Sequence, residues 1–321
     1  MDIIFSELNN TGIITLNRPK ALNALNLDMA KKLFDKLKEW ENNNNIKRVL
    51  LIGEGKHFCA GGDVKSLLLS GKQSKLKYDF FKTEYRLNYA ISQFSKEFLS
   101  IWNGVVMGGG VGLSLYGDHR LASNNTKFAM PETAIGFFPD VGGSYFLSNL
   151  PGNFGKYIAL TSTVLTINEL LFFGLATHYY EPDNLENVKK KFIDNGEIFC
   201  KKYVISNDTF FIKNIDLINN IFNGNIHEII QNLKINNSDF SKRVLEMISK
   251  KCPMSLAITT KLIEDAKGKS LKECLEIEFQ LSQKIVYRDD FDNGVDSVLV
   301  SKDHNPRWNP TNIDEINVGD L

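Results

Sequence analysis

The chain has 321 residues, 43% hydrophobic and 24% charged, and its 38 Lys and Arg balance 38 Asp and Glu. That is enough chain for a sizeable core. There is no basic excess to hold nucleic acid and no apolar run long enough to span a bilayer.

In chain order, residues 12–16 form a β-branched strand that Asn17-Arg18-Pro19 stops. Asp28 is the expected cap of a helix running to about Glu41, with Met29, Leu33 and Leu37 on one face. Residues 42–45 are a polar turn, and 49–52 a buried strand by their continuous apolar character. A loop, Phe58-Cys59-Ala60-Gly61-Gly62-Asp63, leads into a helix that Asp63 would cap. Residues 75–98 have helical periodicity, 98–102 form a strand and Asn103-Gly104 a turn. Gly112 is expected to open another helix, and 120–123 and 127–129 to form short strands. Strand and helix alternate throughout, which predicts an α/β fold. Beyond Pro182 the pattern turns helical, over 184–200, 225–233, 238–250, 253–266 and 270–286.

Chemistry concentrates in one span. Met107-Gly108-Gly109-Gly110-Val111-Gly112 is a glycine-rich turn, and two carboxylates follow it in Met130-Pro131-Glu132-Thr133 and Phe138-Pro139-Asp140-Val141-Gly142-Gly143. Glycine lets backbone approach a ligand and leaves amides free to donate to it. Carboxylates beside such donors can act on an acyl group whose oxygen the donors polarise. This points to acyl chemistry without metal, flavin or nicotinamide. The five histidines show no compact ligand spacing, the glycines do not follow GxGxxG, and no GxSxG elbow occurs. The four cysteines, Cys59, Cys200, Cys252 and Cys274, form no CxxC pair and imply a reduced compartment, with Cys59 a small apolar filler. The first residues match neither a secretory nor a transit pattern, and 319–321 are no peroxisomal tripeptide, so a cytoplasmic location is the default.

The motifs, together with Ile13-Ile14-Thr15-Leu16-Asn17-Arg18-Pro19, Asp290-Phe291-Asp292-Asn293-Gly294-Val295 and Lys302-Asp303-His304-Asn305-Pro306-Arg307-Trp308, resemble the enoyl-CoA hydratase/isomerase (crotonase) superfamily over nearly the whole chain. The resemblance implies a crotonase-like spiral of ββα units with a helical C-terminal region. With the change of pattern after Pro182, the chain is expected to divide into an acyl-CoA-binding catalytic core, 1–200, and a helical region, 201–321. The resemblance also implies an oxyanion hole from the backbone N–H groups of Gly62 and Gly109, with Glu132 and Asp140 as catalytic acids. Glu84 would contact the substrate, and Ala24, Ala60, Gly62 and Lys65 would contact CoA. Superfamily hydratases and dienoyl-CoA isomerases carry an acid where this chain has Gly112. The combination of Gly112, Glu132 and Asp140 resembles the hydrolase branch instead, which implies cleavage of the 3-hydroxyisobutyryl-CoA thioester in valine breakdown. No cofactor is implied, because coenzyme A belongs to the substrate. Mitochondrial matrix and a homo-oligomer are further options within the family.

Blander readings stand beside these. Glu132 could be a helix-start carboxylate, Asp140 a turn cap and Glu84 a solvated helix residue. Hydratase or isomerase chemistry, or acyl-CoA binding without catalysis, are the alternative functions.

Overall fold

The computed structural model describes residues 1–206 and 208–317; the tripeptide 319–321 lies outside the described residues. Contacts divide the chain into two compact units. One comprises Met1–Asp63, Lys82–Phe128 and Val164–Thr209, the other Val64–Phe81, Ala129–Thr163 and Phe210–Leu321.

The first unit is built on a six-stranded sheet in the spatial order Ile3–Leu8, Thr11–Leu16, Arg48–Gly53, Glu97–Trp102, His119–Ala122, His178–Tyr179. The outermost pair is antiparallel, with Ile3 opposite Leu16, and every later pair is parallel. Parallel neighbours need crossover connections. The helix Leu27–Asn42 supplies the one between the second and third strands. Val49, Leu50 and Leu51 are fully buried, as expected of a central strand covered on both faces. Leu50, Leu99, Ile101 and Leu121 pack with Tyr180, Val188 and Phe192. Met29, Ala30, Leu33, Leu37 and Trp40 form the buried stripe of the helix Leu27–Asn42. Each large apolar side chain so buried contributes roughly 1.5–3 kcal/mol. Trp40 fixes that helix to the strands: its indole N–H donates to Glu7 Oε1 at 2.7 Å and its ring meets Phe5 edge-on at 6.1 Å. A Cβ on Gly12 would lie 2.7 Å from the indole ring, so glycine there permits the close approach.

The second unit is largely helical. Tyr157 packs against Phe211, Phe222 and Phe240 between its helices. Lys77, fully buried, donates to Val286 O at 2.9 Å, pairs with Asp292 at 3.3 Å and lies over the rings of Tyr287 and Phe291. The Asp290-Phe291-Asp292 motif thus anchors the helical segment that carries Lys77.

Several sequence expectations need correction. The first strand, Ile3–Leu8, was not anticipated. The first helix is capped by Asn26, whose Oδ1 accepts from Met29 N at 2.9 Å, while Asp28 pairs with Lys32 at 2.7 Å. The helix expected over 75–98 ends at Ser92, because Glu97 begins the next strand. The helix expected to reach 200 ends at Asn195, where Gly196 takes the left-handed conformation (φ 79°) that closes many helices. Gly112 does not open a helix: it ends the single turn Gly109–Gly112. Three glycines in four residues have too little helix propensity to extend it.

Candidate active site

In the first unit, the Cys59 and Val105–Met107 backbones run side by side, with Cys59 N donating to Val105 O and Met107 N to Cys59 O, both at 3.0 Å. The chain then turns at Gly108 (φ 48°, ψ −122°) into the helical turn Gly109–Gly112. A Cβ built on Gly109 would stand 3.0 Å from Gly62 N and 2.5 Å from Glu84 Oε1. Gly62, Gly109 and Glu84 are therefore clustered, and among the described residues neither glycine N–H has a hydrogen-bond acceptor. Glu84 is only 2% exposed, which excludes the solvated-helix reading. Behind the turn, Trp102 Nε1 donates to Ser114 Oγ at 2.9 Å, and Ser114 Oγ donates to Gly110 O at 2.8 Å.

Neighbouring candidates are placed as follows. The Ala24 N–H donates to Ala21 O, its carbonyl accepts from Arg18 Nη1 at 2.6 Å, and the Ala60 N–H donates to Leu22 O. Asp63 pairs with Arg18 at 2.9 Å. Lys65 belongs to the second unit, exposed on the short helix Val64–Leu69. Cys59 is fully buried and burial pushes its thiol up to about 12, which leaves it no thiolate at neutral pH and fits the filler role.

The two acids lie in the second unit. Glu132 opens the 3-10 turn Glu132–Ile135 directly after Pro131. It is 6% exposed, and its Oε2 is buried without a hydrogen bond. Burial pushes its carboxyl well above the ordinary range; the charge of Asp140 adds to this, and Lys251 opposes it. Asp140, 5% exposed, precedes a bend in which Val141 (φ 53°) and Gly142 (φ 83°) are left-handed, and its carbonyl accepts from Gly143 N at 2.7 Å.

Two further charged residues were missed. Lys251 donates to Ser162 Oγ at 2.9 Å, which lies 3.3 Å from Thr133 Oγ1. Burial lowers this ammonium to about 8, while the Glu132 charge pulls the other way. Nothing in the sequence around Lys251 signals this. Glu278 is fully buried and accepts from Gly142 N at 2.7 Å, Ser144 N at 2.9 Å and Ser144 Oγ at 2.5 Å. Its signal was available: Glu278 interrupts the buried stripe Cys274, Ser282, Ile285 of the helix Leu271–Ile285.

Chemically, the first unit offers two adjacent amide donors beside a buried carboxylate. The second offers a pair of buried acids, one held towards its protonated form. The enoyl-CoA hydratase/isomerase family model matches residues 11–321. The chain is 42% identical to the mitochondrial 3-hydroxyisobutyryl-CoA hydrolase of Xenopus laevis, over 98% of this chain and 86% of that protein. It is 38% identical to the human protein of the same name, over 100% and 87%. Among solved structures it is similar to a carnitinyl-CoA dehydratase from Mycobacterium thermoresistibile (TM-score 0.93, 32% identity, 99% and 94% covered). It is equally close in fold to an enoyl-CoA hydratase from Rhodobacter sphaeroides (TM-score 0.93, 28% identity, 99% and 95% covered). With the crotonase fold shared over almost its whole length, the chain belongs to the enoyl-CoA hydratase/isomerase family, on the branch of the 3-hydroxyisobutyryl-CoA hydrolases.

Proposed function

We propose that the protein hydrolyses the thioester of 3-hydroxyisobutyryl-CoA, giving 3-hydroxyisobutyrate and free CoA. The reading rests on the near-full-length similarity to hydrolases of that name, and the buried acids Glu132 and Asp140 suit the chemistry. Glu132 either attacks the thioester carbonyl, expelling the CoA thiolate and forming an anhydride that water then hydrolyses to the acid and the free carboxylate, or removes a proton from a water that attacks the carbonyl directly and displaces the CoA thiolate. Burial makes its ionised form more basic than an ordinary carboxylate, which strengthens it in either role. The N–H groups of Gly62 and Gly109 hold the oxygen that gains charge as the carbonyl is attacked. Asp140 orients the substrate hydroxyl or assists proton transfer, and Glu84 offers that hydroxyl a polar partner. Backbone around Ala24, Ala60 and Gly62, with Lys65, contacts CoA. The reaction needs no cofactor beyond the CoA of its substrate. The mitochondrial designation of the relatives favours the matrix as its location.

A second reading, hydration of an enoyl-CoA, is favoured by the names of the two structures with TM-score 0.93. Against it stands Gly112, at the position where the resemblance puts a second hydratase acid. Thiol release from a panel of short acyl-CoA esters, with and without a 3-hydroxyl, read beside the absorbance of an enoyl-CoA, separates the two. Hydrolysis predicts thiol release that is fastest with the hydroxylated ester. Loss of enoyl absorbance without thiol release would overturn it.

A further inference from the structure

Glu278 has no role in the chemistry above, yet it is a carboxylate sealed from solvent in the helix Leu271–Ile285 and bound by three donors. All three come from Gly142 and Ser144, immediately after Asp140. Each oxygen is engaged: Oε2 accepts from Gly142 N, and Oε1 accepts from the amide and hydroxyl of Ser144. The clamped segment is unusual backbone, since Val141 and Gly142 are successive left-handed residues and Val141 is β-branched. At Val141, which unlike glycine carries a Cβ, such a conformation costs of order 1–3 kcal/mol and persists only where surrounding contacts over-determine it. A typical hydrogen bond contributes about 0.5–1.5 kcal/mol net, so three of them to one buried carboxyl can hold the bend.

Glu278 is also coupled electrically to both acids. The charge of Asp140 is felt at Glu278 and at Glu132, and that of Glu278 at Glu132. Burial pushes the Glu278 carboxyl up to about 8, with the bonds from Ser144 and Gly142 pulling it down. A buried ionisable group is costly and is retained here in place of an apolar residue that would fill the same stripe.

We infer that Glu278 is a positioning residue of the proposed hydrolase site: by clamping Gly142 and Ser144 it sets the bend that orients the Asp140 carboxylate. The inference rests on the proposed function. A glutamine at 278 has the same shape but presents one acceptor and one N–H₂ group to a site that offers only backbone donors and a hydroxyl. One backbone N–H must then face a donor, and the bend relaxes.

The test uses the full chain and thiol release from 3-hydroxyisobutyryl-CoA. Glu278→Gln lowers kcat by about 10²-fold, the cost of a misplacement near 1 Å, with KM within about twofold. Ser144→Ala removes one donor of three and lowers kcat a few-fold in the same sense. In an Asp140→Asn background neither substitution lowers kcat further, because the residue they act through is already lost. A purely structural role costs the same factor in both backgrounds, and that result overturns the inference. So does wild-type kcat in either single variant. Where Glu278→Gln fails to fold, the Ser144→Ala pair of measurements decides. A wild-type chain without thiol release takes down the function and the inference together; an active wild type with an unaffected Glu278→Gln takes down the inference alone.

Discussion

Gly109→Ala is the sharpest probe of the proposed oxyanion site. The added methyl would sit 2.5 Å from Glu84 Oε1 and 3.0 Å from Gly62 N. Real Cβ contacts are essentially never below 3.0 Å, so the first contact alone forces a shift of at least 0.5 Å. Glu84 is buried and has little room to swing away, and Gly62 N is backbone. The strain therefore falls on the two amides proposed to hold the oxyanion. Losing one such donor costs about 2.7–4 kcal/mol, or about 10²–10³ in kcat. KM should change little, since the bond matters mainly when charge develops on the oxygen. Stability should fall by less than the catalytic loss, because an overpacking cost of about 1–3 kcal/mol is offset in part by the roughly 0.5–1 kcal/mol by which alanine favours a helical turn over glycine, and Gly109 has no positive φ. The assay is steady-state thiol release with a melting curve on the same sample. A folded Gly109→Ala protein with kcat within twofold of wild type would refute the assignment.

Three other outcomes are expected. Glu132→Gln should nearly abolish turnover; because the folded carboxyl titrates above its ordinary value of 4.5, its ionisation opposes folding at neutral pH. The variant should therefore melt higher than wild type at neutral pH, with the difference vanishing below the unfolded value, and an unchanged melting temperature at neutral pH would contradict the burial argument. Lys251→Met removes the cation that holds the Glu132 carboxyl down, so the acid limb of the kcat profile should move to higher pH; an unmoved limb would show that Lys251 does not act on Glu132. Ser114→Ala leaves the buried Trp102 N–H without its acceptor and should destabilise by about 1–3 kcal/mol, read as a lower urea midpoint at unchanged slope.

Much of the fold was legible because buried parallel strands and amphipathic helices leave plain periodicities. Residues 49–52 and the helices around 253–266 and 270–286 were visible for that reason, the last with Ser270 as its cap. Ile3–Leu8 was not, since an edge strand with mixed exposure shows neither a continuous nor an alternating apolar pattern. Local preference also misled where a neighbour competed: Asn26 and Asp28 are both good caps, and only the three-dimensional path chose Asn26. The interleaving of the two units had no local signature, because contacts between segments 64–81, 129–163 and 210 onward are set by tertiary packing. Around the candidate site, the motifs led to Gly62, Gly109, Glu132 and Asp140, whereas Lys251, between the helices Asp239–Ser249 and Pro253–Asp265, and Glu278, on the helix Leu271–Ile285, are distant in sequence and belong to no motif. Glu84 was expected to contact the substrate from the resemblance alone, and its burial removes the blander reading of a solvated helix residue.

The tryptophans carry a practical consequence. There are three in the chain: Trp40 and Trp102 are sealed within the first unit, and Trp308, in the second, is partly exposed. In a Trp308→Phe protein, tryptophan fluorescence, excited selectively over tyrosine, arises from the first unit alone, while far-ultraviolet circular dichroism is dominated by helices of both. Coincident denaturation curves from the two signals would mark a single cooperative transition, and separated curves would mark two foldons.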